Sequence, residues 1–137
     1  MADQEDVRRT ALTLPLATED PSSFRFLVGD KAFAWLWLER VAPKGPRVPN
    51  PDVLAVRVAG QTAKDALLAL DESIFFTEPH YDGYPAVLIR LSAIDRELLQ
   101  SVLTDAWRTR LSKRRLKELE ALEASGAPQA GERPPAS

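Results

Sequence analysis

Glu78-Pro79-His80-Tyr81-Asp82-Gly83-Tyr84-Pro85-Ala86-Val87-Leu88-Ile89-Arg90-Leu91 is the stretch whose reading decides the fold. Its first half gathers the single histidine and both tyrosines of the chain around Asp82-Gly83. That dipeptide favours a turn, because glycine accepts a positive φ at no steric cost, and Pro79 and Pro85 bracket it. In the second half Val87, Ile89 and Leu91 alternate with Leu88 and Arg90, the period of a strand with one face in a core.

Downstream, Asp95 is placed to cap the longest helix, with Ile94 and Leu99 at the two positions of a hydrophobic staple. Leu99, Val102, Leu103 and Ala106 form its apolar stripe. Continued as a straight helix, the same face would next present Arg110, Lys113, Arg114 and Lys117. A break near 110–112 resolves the conflict, with Ser112 capping a separate short helix. From Ser125 onward Ser, Gly, Pro and Ala dominate, and disorder is expected to Ser137.

Upstream, Val53-Leu54-Ala55-Val56-Arg57-Val58 reads as a strand with Leu54, Val56 and Val58 inward, closed by Gly60. Thr62 is the expected N-cap of a short helix that buries Ala63, Ala66, Leu67 and Leu70, and Ile74-Phe75-Phe76 is an apolar anchor. Five prolines and glycines between residues 41 and 52 predict a long exposed loop. Gly29-Asp30-Lys31 separates Phe24–Val28 from Ala32–Leu38, which reads as a hairpin with Gly29 at positive φ. Strict alternation puts Phe33, Trp35 and Trp37 on one face and Ala32, Ala34, Leu36 and Leu38 on the other, so the aromatic face is either covered or meets a partner. Asp3 caps a first helix that ends at Leu14-Pro15, and residues 17–23 are a polar connection.

With 137 residues, 45% of them hydrophobic, the chain is expected to form one domain over 1–124 and a tail over 125–137. No apolar run is long enough to span a membrane, the acidic N-terminus does not read as a secretory signal, and cysteine is absent, which together fit a cytoplasmic protein; a monomer is the separate expectation. Residues 1–106 carry 11 Lys/Arg against 16 Asp/Glu, whereas residues 107–137 carry 7 against 4. An acidic body disfavours general phosphate binding, but a local basic segment can still dock on it.

The stretch 76–91, together with Leu54-Ala55-Val56-Arg57-Val58 and Leu98-Leu99 through Leu103-Thr104-Asp105-Ala106-Trp107, resembles the MmcQ/YjbR family. Leu12-Thr13-Leu14-Pro15 and the Gly29 hairpin extend the similarity to about residues 5–118. Two places depart from it. Pro21-Ser22-Ser23-Phe24-Arg25 stands where many members have a Trp-Gly-Arg-like segment, and Leu111-Ser112-Lys113-Arg114-Arg115-Leu116 lacks the proline of an Ala-Pro-Lys-Arg-Leu-like segment. The resemblance implies an α+β domain with an antiparallel sheet of about five strands and helices packed on it. Members are described as DNA-binding and are compared with double-wing modules.

The candidate nucleic-acid contacts are Arg108, Arg110, Lys113, Arg114, Arg115 and Lys117, then Lys31, Lys44 and Arg47 at hairpin and loop tips. Tyr81 and Tyr84 can stack on bases or staple their turn to the sheet. His80 has the pKa of a general base, yet no second histidine, nucleophile elbow or carboxylate cluster accompanies it. Pro79, His80, Tyr81, Asp82, Gly83, Tyr84 and Pro85 are therefore read as a structural motif, with no catalytic residue, metal site or cofactor. The six glycines are scattered, which excludes a Gly-rich phosphate loop. The expected function is non-enzymatic binding of DNA or another polyanion. The alternative is a protein–protein or small-ligand module using the aromatic face of Trp35 and Trp37.

Overall fold

A computed structural model describes residues 1–40 and 47–124. Lys44 and the expected tail at 125–137 lie outside the described residues. The chain forms an α+β domain around one open antiparallel sheet of six strands in the order β1-β2-β3-β4-β6-β5. The strands are β1 (Ala17–Glu19), β2 (Arg25–Val28), β3 (Lys31–Arg40), β4 (Arg47–Arg57), β5 (Phe75–Phe76) and β6 (Ala86–Arg90). The helices are α1 (Gln4–Thr13), α2 (Gln61–Leu70), α3 (Arg96–Arg108) and α4 (Lys113–Ala124).

Helix ends follow local chemistry. Asp3 accepts from the Asp6 N–H at 2.9 Å while Asp6 accepts from the Asp3 N–H at 3.1 Å, a reciprocal capping box that starts α1. Asp95 accepts from the Leu98 N–H at 2.7 Å and starts α3. The helix stops at Arg108 where the apolar stripe runs out, and Ser112 Oγ accepts from the Arg115 N–H at 3.2 Å to begin α4. α2 departs from expectation: Gly60, not Thr62, is its N-cap, and no side chain caps it. Its inward residues are Ala63, Lys64, Leu67 and Leu68, whereas Leu70 is exposed. Lys64 is 2% exposed, and its amine donates to the carbonyls of Tyr81 and of Tyr84 (2.9 Å for the latter). Hydrophobic periodicity alone cannot foresee a lysine used as a buried donor.

One sheet face carries the main core. Phe26, Val28, Phe33, Leu54, Val56, Val87 and Ile89 meet Val7 and Ala11 of α1, Leu99, Val102 and Leu103 of α3, and Leu119 of α4. Each fully buried Leu or Ile in this layer contributes roughly 1.5–3 kcal/mol. Trp107 is buried at its edge, and its indole N–H donates to Pro15 O at 2.8 Å, anchoring the turn in which Leu16 takes φ 66°.

Four expectations about the strands are corrected. β3 does not alternate strictly. Phe26 pairs with Ala34 but Leu27 pairs with Ala32, so Phe33 is an extra residue in a β-bulge. The bulge sends both Phe33 and Ala34 into the main core and leaves Trp35 and Trp37 on the opposite face. Residues 17–23 are not merely a connection, because Ala17–Glu19 pairs with Phe26–Val28 as an edge strand too short and polar to show a period. Pro49 and Pro51 lie inside β4 rather than in a loop. β6 pairs with β4 only over Val53–Arg57, so the earlier part of β4 has β3 alone as a neighbour, and an open edge tolerates proline's missing N–H. Phe75–Phe76, expected only as an apolar anchor, is a two-residue strand that completes the sheet beside β6.

Candidate functional site

The site is built on the sheet face that the helices leave uncovered. The motif stretch folds over it: Pro79–Tyr81 forms a single 3-10 turn, Gly83 takes φ +74°, and β6 begins at Ala86. Tyr81 lands on the two indoles. Its hydroxyl accepts from Trp35 Nε1 at 3.0 Å, and its ring meets Trp37 edge-on with centroids 5.1 Å apart. Trp37 is buried by this contact together with Val53, Ala55 and Leu88. Trp35 remains partly exposed. Tyr84 stands 5.4 Å from Tyr81 with 41% of its surface open to solvent. Most of the aromatic face is thus covered by the motif, and Trp35 and Tyr84 are left at an opening.

That opening is a cleft of about 950 Å³ at the end of the sheet where the β2–β3 turn, the end of β4 and the approach to β6 meet. Arg25, Lys31, Arg57 and Arg110 line it with Trp35, Trp37, Tyr81 and Tyr84, and Asp30 is the single carboxylate among the described lining residues. Arg25 lies directly across from Trp35 in the β2–β3 register. The Arg57 guanidinium stands 5.5 Å from the Tyr84 ring centroid and donates a long 3.5 Å contact to its hydroxyl. Among the described residues, none of the four cations is in an ion pair, although Arg8, Arg9, Arg96, Arg114 and Arg115 all are. Arg110 Nε is buried without a hydrogen-bond partner. Burial, and after it the charge of Arg57, push the Arg110 pKa below its ordinary value, with Tyr84 and Asp30 opposing. Two like charges beside a half-closed aromatic floor attract an anion with some apolar surface.

The predicted basic residues divide. Arg110 and Lys31, far apart in sequence, face the same cleft. Arg108 instead borders a second groove of about 500 Å³ between α2 and α3, together with Asp105. Arg114 and Arg115 both reach Glu118, at 3.7 and 3.4 Å. The Arg115 guanidinium also lies so close to the β2–β3 turn that a Cβ on Gly29 would meet it at 2.7 Å. Lys113 and Lys117 are exposed on α4. Arg47 opens β4, and His80 sits in the 3-10 turn, but the side chains of both lie outside what is described. Asp82 and Gly83 form the turn itself.

Sequence reasoning missed Arg25 and Arg57. Arg57 carried a signal: in the run Ala55-Val56-Arg57-Val58 it is the charged residue on the face away from the core. Among the described residues, no three His, Asp or Glu side chains come together as a metal site requires, and no helix is long and apolar enough to cross a membrane.

The family model for YjbR matches residues 12–109, which include all six strands and the whole of α2 and α3. The chain belongs to the YjbR family. Relatives include uncharacterized proteins of Mycobacterium bovis and Mycobacterium tuberculosis. Each is 40% identical over 114 residues, covering 78% of this chain and 87% of the relative. No solved structure matches. The YjbR match contains Arg25, Lys31, Trp35, Arg57 and Tyr84 and stops one residue short of Arg110.

Proposed function

We propose that this YjbR protein is a non-enzymatic, monomeric cytoplasmic protein that binds nucleic acid, with the cationic cleft as its principal contact. The observation that carries the reading is the gathering of Arg25, Lys31, Arg57 and Arg110 in one cleft, unpaired among the described residues, on a body whose net charge is −2. Cations that form no close ion pair among the described residues, with only Asp20 acting on Arg25 and Asp30 on Arg110 from further away, are placed for an anionic ligand, and phosphates release bound counterions when such groups neutralise them. Exposed Lys113 and Lys117 supply weaker outlying contacts. The β3–β4 ribbon supports a wing-like second contact: Leu38–Arg40 pairs with Arg47–Pro49 beyond the end of the β6 ladder. The lack of cysteine fits a reducing compartment.

Fluorescence anisotropy with labelled DNA at low and moderate salt tests the reading. Replacing both Arg57 and Arg110 by Gln is expected to weaken binding and to lower the salt slope by roughly 1.5 to 2. Flat titrations at low salt, or a double variant that binds like the parent protein, sink it. Arg114→Ala with Arg115→Ala is the control expected to matter less, since Glu118 already engages both side chains.

A further inference from the structure

We propose that the cleft takes an unpaired nucleoside phosphate, its base stacked on Trp35 and Tyr84 and its phosphate held between Arg57 and Arg110. This rests on the nucleic-acid reading above and narrows it, from a phosphate surface to a pocket for a single nucleotide.

A patch that bound only phosphate would need no aromatic floor. Here the cations surround one. The Trp35 ring is fixed in place, because its N–H is already satisfied by Tyr81 Oη at 3.0 Å, so stacking on it costs little further ordering. Tyr84 keeps 41% of its surface exposed although its neighbour Tyr81 is packed 5.4 Å away. The Arg57 guanidinium beside the Tyr84 ring extends the platform, since guanidinium planes also stack on bases. Its charge and that of Arg110 converge on the same opening. The guanidinium groups of both arginines can give phosphate oxygens hydrogen bonds as well as charge.

Size and shape point the same way. A cleft of about 950 Å³ lies within the range of small-molecule sites, roughly 300–1,000 Å³. The bases of a duplex are stacked on one another and cannot reach a recessed floor, whereas an unpaired base can. The unit can arrive as part of a single strand or as a free nucleotide, with the same chemistry in either case.

The test uses the full chain. Anisotropy is measured with a labelled oligo-dT of about eight nucleotides and with a duplex of the same length at matched salt. Tryptophan fluorescence is followed on adding thymidine monophosphate or inorganic pyrophosphate. The single strand is expected to bind at least about tenfold more tightly than the duplex and to quench the indole emission. Thymidine monophosphate should compete better than pyrophosphate. Competition by the mononucleotide as strong as that by the oligomer assigns the site to free nucleotides; competition by the oligomer chiefly assigns it to single strands. Tyr84→Leu is expected to weaken the single-strand complex by about tenfold and the duplex complex by clearly less. Equal affinity for single strand and duplex, with Tyr84→Leu neutral, overturns the inference and leaves the broader reading standing. No binding to any of the ligands at low salt overturns both. Should Tyr84→Leu fail to fold, the competition decides: pyrophosphate displacing the oligomer as well as the mononucleotide does sinks the nucleotide pocket.

Discussion

Trp35 and Tyr81, 46 residues apart in sequence, are joined by a 3.0 Å hydrogen bond from the indole N–H to the phenol oxygen. The bond ties the middle of the sheet to the turn that covers it. Tyr81 also packs edge-on against Trp37, so one side chain fixes both indoles on the face away from the helices. The motif turn is therefore the second layer of this face, and the cleft is what that layer leaves open.

Tyr81→Phe keeps the ring and removes the hydroxyl, leaving the Trp35 N–H without that acceptor. A loss of about 0.5–1.5 kcal/mol is expected in urea unfolding, with an unchanged m-value. A variant as stable as the parent would show that water replaces the phenol there at no cost.

Lys64→Met removes the donor that holds the carbonyls of Tyr81 and Tyr84 while preserving most of the side chain's volume. The two carbonyls lose a charged donor and keep only the Tyr84 and Ala86 N–H groups, at a cost of about 1–3 kcal/mol. Hydrogen exchange should quicken first at Tyr81, Asp82 and Tyr84, whose N–H groups close the same turn. Uniform loss of protection across the sheet, with no excess at the turn, contradicts this assignment.

Gly29→Ala is opposed chiefly by the backbone, and less by a side chain that can move aside. The residue takes φ +65°, and an added Cβ would meet the Arg115 guanidinium at 2.7 Å. The backbone penalty is about 1–2 kcal/mol. Arg115→Ala in the same chain relieves only the contact, so the double variant should recover part of the loss and not all of it. Full recovery would mean that the turn adopts another conformation.

Acid stability is expected to depend on Asp6, whose side chain is 5% exposed and lies 3.2 Å from Arg96 and 3.3 Å from Arg9. Burial works to raise its pKa, but the Asp3 N–H and the two guanidinium groups outweigh it, and the net shift is downward. Asp20 and Asp71 are lowered as well, by hydrogen bonds from Ser22 and Ser73. A carboxylate with a depressed folded-state pKa stabilises fully above its ordinary value of 3.8, and that contribution is lost as pH falls through the folded value. Melting temperature should thus drop as pH is lowered from the ordinary value of 3.8 towards the folded value. Asp6→Asn should be less stable than the parent near neutrality and should show a shallower acid limb; parallel curves would remove Asp6 from the account.

Where local chemistry decides, the sequence was legible. Asp3, Asp95 and Ser112 start helices at the positions their side chains favour, and Gly29 and Gly83 take the positive φ expected of them. The break after α3 was visible because a core-facing stripe cannot continue into Arg110 and Lys113. The edge strand at Ala17–Glu19 was not, since three residues paired on one side carry no usable period. Half of the cleft was legible too: Arg110, Lys31 and Tyr84 stand out by residue type, whereas Arg25 and Arg57 look like ordinary outward strand residues.

Sequence alone determined the α+β class, the family likeness and the motif turn leading into β6, because turn chemistry and the two-residue period act between near neighbours. Tertiary structure decided which face the tryptophans occupy. A single bulge at Phe33 shifts the phase of β3, and register is set by the partner strand rather than by the residues themselves. It also decided which cations work together. Glu118 engages Arg114 and Arg115, while Arg25, Lys31, Arg57 and Arg110, drawn from three strands and a helix connection, come together unpaired among the described residues beside Tyr84. Charge acts through distance in space, and only the packed chain sets that distance.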